Sequence, residues 1–231
     1  MLYLFLDETY RDLPTGKRFV FGCIATPQFR WNDLFRDAQK LNLPGKSTRI
    51  NRVNTYLARL DGLGVLTFSD IDSKHLLSDE IDGTRDISKM SRYDNLWSDC
   101  FAFAVAVTLS SIFVRDNVFK TVDIYYDPKD LCDSHRKALC LTLKDRLQKI
   151  IKKYNRRYNL NLGKSIQIRR IEQVKKPTSG STLDKFQVGT ELAHQLCSKT
   201  RNLLKQWPPL SHIEVHNHTD VVNGTMQPFY E

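Results

Sequence analysis

The chain opens with Leu2-Tyr3-Leu4-Phe5-Leu6 and passes without a break into Asp7-Glu8. Five consecutive apolar residues are too few for a helix and lack the polar alternation of a half-solvated strand. They predict a strand buried on both faces, the state of a central strand in an α/β sheet. The two carboxylates fall where that strand is expected to run out. A carboxylate at the rim of a buried strand is costly unless a cation, a hydrogen-bond donor or water compensates it, so the position calls for an explanation.

The rest of the chain supplies partners for such a strand. Residues 9–17 are polar, with Pro14 and Gly16, and residues 18–26 are again strand-like, which predicts a hairpin returning along the first strand. Trp31, Leu34, Phe35, Ala38 and Leu41 have helical spacing; a second helix is expected over about 53–60 and a strand over 65–68. Residues 69–88 carry Asp70, Asp72, Asp79, Glu80, Asp82 and Asp86 with few large apolar residues, and predict a long surface loop or lid. Residues 93–114 are apolar nearly all round, which describes a deeply buried helix. A strand over 122–127 ends in Asp127-Pro128, a helix is expected over about 134–158, and a strand over 166–174. A helix from about 182 to 205 and a short alternating strand over 211–219 close the chain. This order predicts an α/β fold with a mixed central sheet, opened by an N-terminal hairpin and flanked by crossover helices. No linker divides the sequence, so residues 1–231 are expected to form a single domain, and 41% hydrophobic residues suffice for its core.

Some classes are disfavoured. No run approaches eighteen apolar residues and no basic segment precedes the first strand, so neither a membrane span nor a secretory signal is expected, and the cytoplasm is the expected location. Cys23, Cys100, Cys132, Cys140 and Cys197 are scattered and never paired as Cys-x-x-Cys, which disfavours a disulfide framework or a thiolate zinc site. Nucleophile-elbow, phosphate-loop and dinucleotide motifs are absent. The net charge of +9 is localised: residues 144–176 hold twelve Lys and Arg against two acids, while the rest of the chain is close to neutral. A concentrated cationic segment attracts a polyanion.

Four stretches taken in order resemble a known family. Leu4-Phe5-Leu6-Asp7-Glu8-Thr9, Phe19-Val20-Phe21-Gly22, Ile124-Tyr125-Tyr126-Asp127 and Phe186-Gln187-Val188-Gly189-Thr190-Glu191-Leu192-Ala193 together resemble DUF3800, a family similar to the ribonuclease H-like superfamily. The resemblance spans nearly the whole chain. It implies hydrolysis or transfer of phosphodiesters, with acids on the first strand, a later strand and a late helix. Two departures stand out: Thr9 replaces a serine, and the family's helical aspartate aligns with Thr190. The acid Glu191 lies one residue later, rotated by about 100°.

Two-metal phosphodiester cleavage needs hard oxygen ligands from different elements, holding Mg²⁺ or Mn²⁺ ions about 4 Å apart. Asp7 is assigned the bridging role, Asp127 and Glu191 one metal each, and Glu8 a supporting role, because it should face away from Asp7. Asp7 and Asp127 meet only if their strands are neighbours. Each also suits a turn former. On the late helix Val188, Gly189, Leu192, Ala193 and Leu196 form an apolar arc, with Asp184, Gln187, Glu191, His194 and Gln195 on the other side, so Glu191 is equally open to a solvated reading. Asp70 and Asp72 are weaker candidates, better explained as loop surface.

Within the cationic segment, Lys149, Lys152, Lys153, Arg156 and Arg157 lie on a helix with Tyr154 and Tyr158 between them, and Arg169, Arg170, Lys175 and Lys176 follow. Bases beside aromatic rings suit a nucleic-acid backbone with bases available for stacking. A separate group, His212, Glu214, His216 and His218, shares one strand face; alternate side chains lie nearly 7 Å apart, so at most two neighbours chelate one ion, and a polar edge is the simpler account. The first functional expectation is a metal-dependent nuclease acting on RNA or DNA. The alternatives are a catalytically inactive nucleic-acid-binding or interaction module on the same fold, and a phosphoesterase of small nucleotides.

Overall fold

In the computed structural model, which describes residues 1–38, 50–72, 92–115, 121–127, 147, 149, 166–175, 183–199 and 210–217, strands β1 (Leu2–Leu13) and β2 (Gly16–Pro27) form a long hairpin. Leu13 pairs with Gly16, leaving a two-residue turn at 14–15. β1 therefore does not stop at Asp7-Glu8 as expected from the sequence. Its antiparallel partner carries it on to Leu13, and what ends there is burial: residues 2–8 are buried and residues 9–13 are not.

The sheet has six strands in the order β5-β4-β1-β2-β3-β6, with β3 at Leu63–Asp72, β4 at Thr121–Asp127, β5 at Gln167–Gln173 and β6 at Ile213–Asn217. Only β2 runs against its neighbours; β1, β4 and β5 are mutually parallel, as are β3 and β6. An α/β fold with a mixed sheet between helices is thus what the chain adopts. β3 is longer than expected and takes in Asp70 and Asp72, so the acidic stretch begins as strand rather than loop; residues 73–88 lie outside the described residues. Asp70 is fixed by a cross-strand ion pair in which Arg18 donates from both ends of its guanidinium at 2.5 and 2.7 Å, which raises the Arg18 pKa. That arginine also lies over the Phe68 ring.

Alternation along β1 sorts its side chains between two cores. Leu2, Leu4 and Leu6 face α3 (Arg92–Arg115), with Phe19, Phe21, Cys23, Val122, Ile124 and Tyr126 on the same side. Tyr3 and Phe5 face α1 (Gln28–Ala38), α2 (Ile50–Arg59) and α4 (Lys185–Ser198), with Trp31, Leu57, Tyr125, Val188 and Leu192. Burying one such large side chain contributes about 1.5–3 kcal/mol, which is why a strand apolar on both faces occupies the middle of the sheet. As expected, the described part of α3 is buried nearly all round, from Cys100 to Leu109. Of the helix expected over 134–158, residues 147 and 149 are described, both helical, Leu147 buried and Lys149 exposed.

Among the described residues, no helix is long and apolar enough to cross a membrane. Cys23, Cys100 and Cys197 are buried.

Candidate functional site

The parallel register of β1 with β4 decides which acids meet. Leu2 pairs with Val122 and, five residues on, Asp7 pairs with Asp127, the last residue of β4. Side chains of paired residues on adjacent parallel strands point the same way, so the two carboxylates stand side by side on the face that carries Phe5 and Tyr125. Asp7 is 2% exposed. Its Oδ1 accepts the Glu8 amide at 2.8 Å, and its Oδ2 lies 2.6 Å from His194 Nδ1. Asp127 Oδ1 is buried as well. Glu8, equally buried, belongs to the opposite face with Leu4 and Leu6. Its side chain is therefore turned away from the pair, as the alternation predicted.

Helix α4 closes over these strands. It starts later than the sequence expectation because Asp184 caps it: the Asp184 carboxylate accepts the Phe186 and Gln187 amides at 2.8 and 2.9 Å, while the Gln187 side chain accepts the Asp184 amide at 2.8 Å. This reciprocal cap satisfies backbone donors that the helix start leaves open. At its other end the helix stops at Ser198, short of the expected 205, with Lys199 as its cap.

Two glycines set how closely α4 approaches. A Cβ on Gly189 would lie 2.2 Å from the Phe5 ring, and one on Gly22 would lie 2.4 Å from the Ala193 carbonyl and 2.9 Å from Cys197 Sγ. Gly22 is also the β2 partner of Asp7. With no side chain on that flank, the helix comes down onto Asp7, where the Cys197 thiol donates to the Asp7 carbonyl at 3.1 Å.

Glu191 is half-buried and accepts from Gln195 Nε2 at 2.8 Å. Gln195, grouped by its spacing with the polar side of the helix, is fully buried, and Thr190 is buried too. The buried arc is wider because α4 packs on β1 and β2 and also reaches β3, β4 and α2. Thr190 Oγ1 turns back on its own helix, toward the Phe186 and Gln187 carbonyls. Among the described residues no three His, Cys, Asp or Glu side chains form a ready metal-binding group. The site is an aspartate pair with a histidine against it and a glutamate a turn away.

His194 is the residue that sequence reasoning passed over. Its spacing groups it with the polar side of the helix, yet it follows Thr190 by four residues, the spacing that returns a helix to the same face.

The other candidates are distributed as follows. Arg169 donates to both oxygens of Asp123, through Nε at 2.8 Å and through Nη2, and Asp123 is fully buried on β4. The Arg169 pKa is raised first by that hydrogen bond and then by the charge of Asp123. Arg170 donates to Glu172 at 3.2 Å, and Lys149 and Lys175 are exposed. Lys152, Lys153, Arg156, Arg157 and Lys176 lie outside the described residues.

The histidine strand is divided. His212 is tied to α2 and the β3 entrance, its amide donating to Asn54 Oδ1 at 3.0 Å and its Nδ1 3.1 Å from the Gly62 carbonyl. Glu214 accepts from Ser111 of α3 at 2.6 Å and lies 3.2 Å from His216 Nε2. His218 is outside the described residues. Compared with known proteins, the chain matches no family model and no curated protein.

Proposed function

We propose that this chain is a divalent-metal-dependent nuclease of the ribonuclease H-like, DUF3800-type class, hydrolysing phosphodiester bonds of RNA or DNA in the cytoplasm. One observation carries the reading: the β1–β4 register sets Asp7 beside Asp127, under a helix that packs on both strands. Acids on a first strand, a later parallel strand and a late helix are what the resemblance implies.

The donor set fits Mg²⁺ or Mn²⁺. These hard cations take one or two carboxylates and complete their shell with water and phosphate oxygens, so a two-aspartate floor suits them without a closed protein cage. Asp7 and Asp127 would hold the ion; Glu191 is the acid that the resemblance assigns to the helix. Bound there, such an ion polarises a phosphoryl oxygen and lowers the pKa of its water. The protein's own part is to fix the carboxylates and to keep the deep side of the site dry. Asp7 is held by the Glu8 amide, and beneath it Phe5 stacks on Tyr125 at 5.6 Å and Tyr125 on Phe186 at 4.2 Å. The cationic segment supplies the attraction for the phosphate backbone.

The test is cleavage of labelled RNA, DNA and hybrid duplex in Mg²⁺ or Mn²⁺. Wild type is expected to cut at least one of them, and Asp7→Asn and Asp127→Asn to lose about 10²-fold or more, the scale of losing one electrostatic stabiliser. Equal trace activity in all three proteins overturns the proposal. A second reading, an inactive nucleic-acid-binding module, is favoured by one observation: Glu191 is engaged by Gln195 and Thr190 by its own helix, so α4 adds no third converging acid. Binding without cleavage in the same assay is its signature.

A further inference from the structure

We infer that His194 is the positioning residue of the Asp7 carboxylate, the group through which α4 completes the site one helical turn after Thr190. The inference rests on the metal-site reading given above and goes beyond it by assigning the helix contribution to a hydrogen-bond donor.

Helix geometry selects the residue. At 100° per residue, Glu191 points about 100° away from the Thr190 direction, whereas position i+4 returns to within about 40° of it and position i+7 to within about 20° on the other side. Those positions are His194 and Cys197, and both touch Asp7: His194 Nδ1 is 2.6 Å from Oδ2 and Cys197 Sγ is 3.1 Å from the backbone carbonyl. The approach is set by backbone packing. Gly189 against Phe5 and Gly22 against Ala193 fix the depth of the helix at two points leading up to the contact.

The chemistry assigns the role. An ionised carboxylate only accepts, so the proton of the contact is on Nδ1. Both oxygens of Asp7 are thereby engaged, Oδ1 by the Glu8 amide and Oδ2 by His194, which fixes the carboxylate plane. Carboxylates that ligate metals are held by such outer partners, and losing one typically costs 10–100-fold in metal affinity. His194 is partly exposed, 27% against 3% for the Asp7 side chain, so its truncation leaves the apolar core beneath intact.

The experiment measures Mn²⁺ binding to the full chain by calorimetry and by the paramagnetic resonance of free Mn²⁺, with unfolding midpoints recorded alongside. Asp7→Asn is expected to abolish binding. His194→Ala is expected to weaken it 10–100-fold, and His194→Asn, which places an amide N–H near the position of Nδ1, to restore it to within about threefold of wild type. If His194→Ala does not fold, His194→Leu fills the space without a donor and takes its place. In the metal-free protein a downfield Nδ1–H proton resonance is expected for His194 and should vanish in Asp7→Asn. If the Ala or Leu variant binds Mn²⁺ like wild type while Asp7→Asn does not, or if His194→Asn is no better than His194→Ala, the inference is overturned and the metal-site reading stands. If wild type and Asp7→Asn behave alike toward Mn²⁺, the metal-site reading is overturned, and the inference with it.

Discussion

Cys23 lies at the centre of the sheet on the α3 side, with no exposed surface. Burial pushes its thiol from an ordinary value of 9.0 up to about 12, a hydrogen bond with Thr108 offsetting part of the rise. Burial foremost, and next the charge of Asp123, likewise raises the Tyr125 hydroxyl to about 12. Both groups are neutral when protonated and hold their protons more tightly folded than unfolded. The stability they contribute is complete below pH 9 and is lost as pH rises from about 9 toward 12. Unfolding midpoints measured from pH 8 to 12 should therefore fall, and more gently in Cys23→Ala, with the difference opening first between pH 9 and 10, before the tyrosine takes part. Identical slopes for the two proteins would falsify the assignment to Cys23. The same scale explains a polar residue within an apolar strand: Asp123 is tolerated at full burial because Arg169 holds both of its oxygens. One of the bases assigned to nucleic acid is thereby an element of the sheet, and Arg170 beside it has Glu172 as its neighbour in charge.

At the scale of elements, the packing of α4 on the hairpin is the relation on which the site depends. Replacing Gly189 by Ala favours the helix intrinsically by about 1 kcal/mol, yet it sets a methyl into the Phe5 ring. Overpacking of this kind costs about 1–3 kcal/mol or more, so the balance is destabilising. Gly189→Ala is expected to lower the denaturation midpoint, and adding Phe5→Leu should recover part of the loss, a non-additivity that a double-mutant cycle measures directly. Additive effects would mean that the helix is not seated on that ring. The opposite edge offers a second lesson in element geometry. Ile168 and Ile171 both pack on the α3 side although three positions separate them, because a bulge against Val122/Asp123 inserts an extra residue between them. That irregularity is what turns Arg169 toward Asp123. A strict two-residue alternation has no place for it, which is why the pairing was not legible in the sequence.

Across the whole molecule, the charge distribution divides the chain into a nearly neutral scaffold and a cationic segment at 144–176. If that segment binds the phosphate backbone, affinity for a nucleic acid falls steeply with salt, with a slope of about 0.9 per phosphate contact on duplex DNA. Charge reversal at Lys152, Lys153, Arg156 and Arg157 together is expected to weaken binding and flatten the slope by roughly three to four. Reversal of Arg169 tests something else, since it breaks the Asp123 pair and should appear first in stability. Binding curves over a salt series, read beside unfolding midpoints, separate the two effects. An unchanged slope in the fourfold variant sinks the backbone-contact proposal.

What the sequence determined by itself were the local properties. An apolar run of five residues required a central strand, the alternation around Asp7 required Glu8 to face away, and the composition of residues 93–114 required a buried helix, because each follows from hydrophobic burial acting on a repeating backbone. The tertiary structure alone decided the relations between distant segments. The β1–β4 register put Asp7 beside Asp127; the absence of a side chain at Gly22 let α4 descend; and that descent, rather than the acid at Glu191, brought His194 onto Asp7. The physical reason is that strand register and helix depth are fixed by packing between segments more than a hundred residues apart. A side chain's periodicity states which face it occupies and is silent about what waits on the other side.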